Sequence, residues 1–184
     1  MFIRNRKGFT LVEIMIVVAI IGLLVAIAIP NLLRARLSAN ETAAKASIRT
    51  VITALENYRA DQNPPTYPNP DAEDSAIVNF LEDLSAATPP YLEPVLASGQ
   101  KQGYTFKYYV PAAVTINIGG TDYDVIPAYS LEAYPVAYGT TGNTNFYANS
   151  SGIIYAEANA ANAENLAGEY SATPPGDTFI AIGN

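Results

Sequence analysis

The chain has 184 residues, a formal charge of −7, 49% hydrophobic residues, 13 Tyr and 6 Phe, and no His, Cys or Trp. Without cysteine there is no disulfide framework and no thiol chemistry. Without histidine the commonest general base and metal ligand is missing, which argues against an enzyme, and the acidic balance argues against a nucleic-acid-binding surface. The length suits one membrane segment plus one modest domain.

The first eight residues carry Arg4, Arg6 and Lys7 and no acidic residue. Basic residues on this flank hold it on the cytoplasmic side, so the chain beyond the next segment is expected to point outward. Removing this leader would take three of the 10 basic residues and leave a more acidic exported chain.

From Phe9 to Ile29 the sequence is apolar with one charged residue, Glu13. A carboxylate near the centre of a bilayer costs about 2.5–3.5 kcal/mol, so its presence asks for a partner. Three readings compete. A signal peptide would be cut near Ala26–Ala28, but its apolar core runs only about 7–15 residues. A plain anchor fits the length and leaves Glu13 unexplained. A segment stored in the membrane and later packed against copies of itself explains both. Glu13 lying one turn from the membrane edge also allows it to reach the headgroups.

Pro30 cannot donate to the carbonyl of Ala26, and Gly22 weakens the helix by about 1 kcal/mol relative to Ala. The stretch between them is expected to bend or unwind more easily than its surroundings. Beyond it the pattern turns amphipathic: Leu37, Ala44, Ile48, Val51, Leu55 and Tyr58 form one helical stripe. Arg34, Arg36, Glu41, Lys45, Arg49, Glu56 and Arg59 mostly fall off it. One helix from Phe9 to Ala60 would be about 78 Å long.

The segment "KGFTLVEIMIVVAIIGLLVAIAIPNLLRAR" resembles the N-terminal signal of type IV pilins and type II secretion pseudopilins. The matching pieces are the short basic leader, Gly8 before the cut, Phe9 as new first residue, Glu13 four positions on, the long apolar helix and Pro30. The resemblance covers about a third of the chain. It implies cleavage between Gly8 and Phe9 by a prepilin peptidase, N-methylation of Phe9, storage in the inner membrane, and assembly of many copies through an inner-membrane platform. It further implies that Glu13 pairs with the Phe9 amine of a neighbouring subunit. Gly22 and Pro30 are expected to serve assembly by letting the helix bend or partly unwind between them when subunits pack.

Asn63–Pro70, "NPPTYPNP", must end the long helix. Ile77, Phe80, Leu81 and Leu84 then predict a short helix, with Asp71 or Asp74 as cap. "TPPYLEPVLASG" reads as an extended connector. From Tyr104 the period becomes two: "YTFKYYV", "VTINI", "YDVI", "YSLEAYPVA", "NFYA", "IIYAE" and "TFIAI" are candidate strands. Gly119-Gly120 and Asn149–Gly152 mark hairpin turns. Residues 157–169 fit either a helix or an irregular flap. The head resembles pilin heads more loosely, with an implied sheet of about four strands.

The expected architecture is α+β and pilin-like: a cleaved leader 1–8, a transmembrane and filament-core helix 9–30, its amphipathic continuation 31–62, and an α+β head 63–184 with an antiparallel sheet. No catalytic residue, cofactor or metal is expected. The acidic clusters Asp71, Glu73, Asp74 and Asp122, Asp124 read as solvated loops more readily than as a calcium site. Asn40-Glu41-Thr42 and Asn149-Ser150-Ser151 match a weak glycosylation pattern. The expected partners are copies of itself or related pilins, prepilin peptidase, the assembly platform and membrane lipid. The expected function is a structural subunit of a type IV pilus or related filament. The alternatives are a type II secretion pseudopilin that drives protein export, and a membrane-anchored binding domain that never polymerises.

Overall fold

A computed structural model of the protein describes residues 8–69, 84–162, 166–167 and 169–183. The short helix predicted around Ile77–Leu81 and the acidic cluster Asp71, Glu73, Asp74 lie outside the described residues, although Leu84 is described and buried. The chain divides into two compact units, Met1–Arg36 and Leu37–Asn184.

Helix α1 runs from Leu11 to Asp61, with Pro30 inside it. It ends where the sequence demands, because the prolines from Pro64 onward cannot supply helical donors. In the first unit every described residue from Gly8 to Arg36 is exposed. Side chains that cost most in water, among them Phe9 (82% exposed), Leu11 (75%) and Leu23 (65%), have no cover within the chain.

In the second unit the same helix buries one face. Ala44, Ser47, Ile48, Val51, Ala54 and Leu55 are buried, and Tyr58 is partly buried against the same core. The expected stripe is therefore the packing face, with Ser47 and Ala54 filling the steps between its larger members. Ile48, Val51 and Leu55 are fully buried, and each contributes about 1.5–3 kcal/mol of transfer free energy.

A six-stranded antiparallel sheet supplies the rest of this core. Its strands are β1 (Gln100–Lys101), β2 (Tyr104–Tyr109), β5 (Ser130–Pro135), β6 (Asn145–Asn149), β7 (Ile154–Glu157) and β8 (Ile180–Gly183), in the order β1-β2-β5-β6-β7-β8. Two further strands, β3 (Val114–Ile118) and β4 (Thr121–Val125), form a separate hairpin. The sheet is thus wider than the four strands expected. The pairing Phe106↔Ala133↔Phe146↔Ala156 puts apolar side chains in one row, and Tyr108↔Leu131↔Ala148↔Ile154 makes the next. These rows join the α1 stripe in a single core with Tyr67, Tyr104 and Tyr129. Tyr67 and Tyr129 meet edge to face at 4.8 Å.

Two elements escaped the sequence reading. The connector before Gly99 contains a helical turn, α2 (Pro94–Ala97), started by a proline at its first position. After it the two-residue strand β1 pairs with β2. Both are shorter than any periodicity can reveal. Glu157 ends β7, and residues 158–162, 166–167 and 169–179 show no helix, so the described part of the segment beyond Glu157 is irregular.

The opposite face of the sheet is polar and nevertheless buried. Ser130, Glu132, Asn145 and Glu157 are each at most 5% exposed, and Asn149 9%. The C-terminal segment lies over them and its backbone is held by their side chains. Asn145 Nδ2 donates to Glu157 Oε2 at 3.0 Å and to the Asn162 carbonyl at 2.9 Å. Asn149 Nδ2 donates to the Ala172 carbonyl at 2.7 Å, the Ala167 N–H donates to Glu132 Oε1 at 2.8 Å, and the Thr178 hydroxyl donates to Glu157 Oε1 at 2.9 Å. The Tyr147 hydroxyl donates to the Ser171 carbonyl. A strap with no cysteine to fasten it is fastened by hydrogen bonds.

Candidate assembly segment

Helix α1 begins with a reciprocal cap. The Thr10 N–H donates to Glu13 Oε2 at 2.9 Å, and the Thr10 hydroxyl donates to the same oxygen at 2.8 Å. The Glu13 N–H in turn donates to Thr10 Oγ1 at 3.2 Å. This is a capping box: two orphan donors at a helix start are satisfied by two side chains three residues apart. The pattern Thr-x-x-Glu before an apolar run is its sequence signature, and Thr10 is the residue that the sequence reading of Glu13 leaves out. The carboxylate is thereby fixed at the first turn, where the helix dipole also favours negative charge.

The other expected site residues fall around this cap. Gly8 and Phe9 precede the helix and are exposed. A Cβ at Gly8 would meet nothing within 4 Å. Arg4, Arg6 and Lys7 lie outside the described residues. Gly22 and Pro30 sit within the unbroken helix. The carbonyl of Ala26 loses its usual donor at Pro30, and the next side chain, Asn31, donates from Nδ2 to the Ile27 carbonyl at 3.1 Å.

The two glycosylation triplets are engaged elsewhere in the fold. Asn40 lies within α1 and its Nδ2 donates to the Thr141 carbonyl at 2.9 Å. Asn149 spends its amide on the strap. The Asp122 and Asp124 carboxylates brace the β3–β4 hairpin, accepting from Asn117 Nδ2 at 2.6 Å and the Thr115 hydroxyl at 2.7 Å.

Helix α1 contains a stretch long and apolar enough to cross a membrane, near the N-terminus. A family model described as the prokaryotic N-terminal methylation motif matches residues 3–29, which contain the cap, Gly8, Phe9 and Gly22. The chain is 50% identical over 60 residues to the type IV wide pilus major component PilA4 of Thermus thermophilus, covering 33% of this chain and 46% of that protein. It is 45% identical over 60 residues to the type IV major pilin protein PilA of Myxococcus xanthus, covering 33% and 27%. It is 35% identical over 100 residues to the type II secretion system core protein G of Escherichia coli, covering 54% and 61%. The matches thus span less than two thirds of these relatives' lengths, and no solved structure matches. The chain carries a prepilin-type methylation motif and is homologous, over part of its length, to type IV pilins and to type II secretion core protein G.

Proposed function

We propose that this protein is a structural, non-enzymatic subunit of a type IV pilus or related filament. It is held in the inner membrane by α1 with its head outward, cut between Gly8 and Phe9 by a prepilin peptidase, methylated at Phe9, and polymerised with copies of itself or related pilins on an inner-membrane platform. The observation that carries this is the first unit: a capped helix start followed by a helix whose apolar side chains are exposed all round through Leu33. Such a surface needs lipid before assembly and other helices after it. Glu13 then supplies the polar contact that a uniformly apolar surface lacks, and Gly22 and Pro30 supply the place where the helix yields when copies pack. The test is to image filaments sheared from cells and sequence their main subunit. Filaments built of this chain, starting at methylated Phe9, are expected. A mature start near Ile29 would return the segment to an ordinary signal peptide.

A second reading has its own support. The 100-residue match to core protein G is longer than α1, so part of it falls in the head. It favours a type II secretion pseudopilin, whose filament drives protein export. Deleting the gene separates the two: lost secretion of folded proteins marks the pseudopilin, and lost surface filaments with intact secretion mark the pilin.

A further inference from the structure

Beyond the basic leader, the first unit carries three charged residues: Glu13, Arg34 and Arg36. The stretch from Ile14 to Leu33 carries none and is exposed throughout. At about 1.5 Å of rise per residue, Glu13 and Arg34 stand about 31 Å apart along α1. The hydrocarbon core of a bilayer is about 30 Å thick. A helix that spans it with Glu13 at one headgroup layer therefore brings Arg34 and Arg36 to the other.

Both arginines lie in α1 and are exposed. Neither has an acidic residue three or four positions away, where a helix would bring one alongside. Neither takes part in an ion pair among the described residues, where Arg59 pairs with Glu56 and Lys101 with Glu93. Their spacing says what can answer them. Two residues along a helix is about 200° of rotation and about 3 Å of rise. The two side chains thus leave the helix on nearly opposite sides at nearly one depth. A protein seated on one face would meet one of them, whereas a lipid layer surrounds the helix and meets both.

We infer that Arg34 and Arg36 form a collar that binds the phosphates of anionic phospholipids in the outward-facing leaflet, and so sets the height at which the subunit waits in the membrane. A guanidinium forks onto a phosphate with two parallel hydrogen bonds, and its apolar stem lets the charge reach the phosphate level. A zwitterionic headgroup brings its own cation into that layer; an anionic one does not. The remainder of the chain supplies no competing attraction, because 16 of the 17 acidic residues and only five of the 10 basic ones follow Arg36. Each cation at an anionic surface is worth about a fivefold preference, so the pair gives about 25-fold. The inference rests on the inner-membrane part of the proposed function and adds to it the class of lipid.

The full chain is reconstituted into vesicles of phosphatidylcholine with a minor share of phosphatidylglycerol and extracted gently in detergent. Native mass spectrometry then identifies the lipids that stay bound. Phosphatidylglycerol should exceed its share in the vesicles by about tenfold or more. Arg34→Gln with Arg36→Gln should return it to that share, and Arg34→Lys with Arg36→Lys should keep most of the excess. The glutamine pair leaves the leader's basic residues in place, so an undiminished excess in that variant overturns the collar. A parent that inserts and shows no excess overturns the collar and leaves the inner-membrane reading standing. A parent that an alkaline carbonate wash strips from the membranes of its own cells overturns both. A photo-crosslinker at Ala35 that captures a protein in those cells and no lipid overturns the choice of lipid.

Discussion

One oxygen of Glu13, Oε2, takes both the backbone N–H and the hydroxyl of Thr10. The carboxylate at the head of the apolar helix thus has a local employment before any neighbouring subunit is considered. A cap of this kind contributes about 0.5–2 kcal/mol. A buried ion pair broken on one side costs about 3–5 kcal/mol. Substitutions at the two residues separate these scales. Thr10→Ala should loosen the first turn and still give filaments. Glu13→Gln, which keeps an acceptor and loses the charge, should insert and be cleaved normally yet give few or no filaments as the sole copy, as should Glu13→Ala. Electron microscopy with immunoblots of the cleaved form reads both outcomes. Abundant, normally spaced filaments of Glu13→Gln would reduce Glu13 to a helix cap.

Gly8 has open space where a Cβ would go, so a larger residue disturbs no contact among the described residues. Gly8→Val should therefore leave folding and membrane insertion unchanged and block cutting, because the obstruction arises only against the peptidase. Peptide mapping is expected to show an uncut leader in the variant and a methylated Phe9 terminus in the parent. Efficient cleavage of Gly8→Val would remove Gly8 from the recognition element.

Asn145 is the hub of the strap. Its amide donates to Glu157 and Asn162, and its Oδ1 accepts from the Tyr138 hydroxyl at 2.6 Å. Asn145→Ala removes all three links inside a buried polar layer, at a cost of about 1–3 kcal/mol. The loss should be local. Hydrogen exchange is expected to speed up across residues 158–162 and 169–179 while 44–55, in the apolar core, stays protected. Uniform acceleration of both regions would mean that the strap and the core unfold as one.

The legible parts of the chain were those with a long period. The apolar run and the α1 stripe repeat over enough residues to stand above chance, the Gly119-Gly120 turn is marked by its two adjacent glycines, and the structure bears them out. The polar strap was not legible, because Asn145, Glu157 and Ser130 look like outward-facing strand residues until a distant segment covers them. The width of the sheet was hidden for a similar reason. Strand β1 has two residues, and the separation of β3–β4 from the main sheet is decided by tertiary pairing. At the assembly segment, Glu13 stood out by its cost in an apolar run, whereas Thr10 is unremarkable in composition and shows its role only through its spacing to Glu13.

Tyr67 gives a prediction in pH. Burial, then the hydrogen bond from its hydroxyl to Glu56 Oε1 at 2.6 Å and the charge of that carboxylate, push its pKa up to about 12. The unfolded side chain ionises near 10. Between these values the unfolded chain releases a proton that the folded chain keeps, so the contribution is complete below pH 10 and is lost as pH rises toward 12. Urea unfolding at successive pH values across that window should show stability falling, with a shallower fall in Tyr67→Phe. Equal slopes in parent and variant would place the alkaline sensitivity in the other buried tyrosines.

A single helix carries both the exposed apolar surface and the stripe that enters the head core. Tension applied to its N-terminal part therefore reaches the head along a ladder of backbone hydrogen bonds that lacks the rung from Pro30 to Ala26. It arrives as shear across Ala44, Ile48, Val51 and Leu55 together, and no contact can be peeled away before the next is loaded. Subunits joined in this way would resist pulling through the parallel strength of many weak contacts. They would yield first where the ladder lacks a rung, at the carbonyl that Pro30 leaves without its donor.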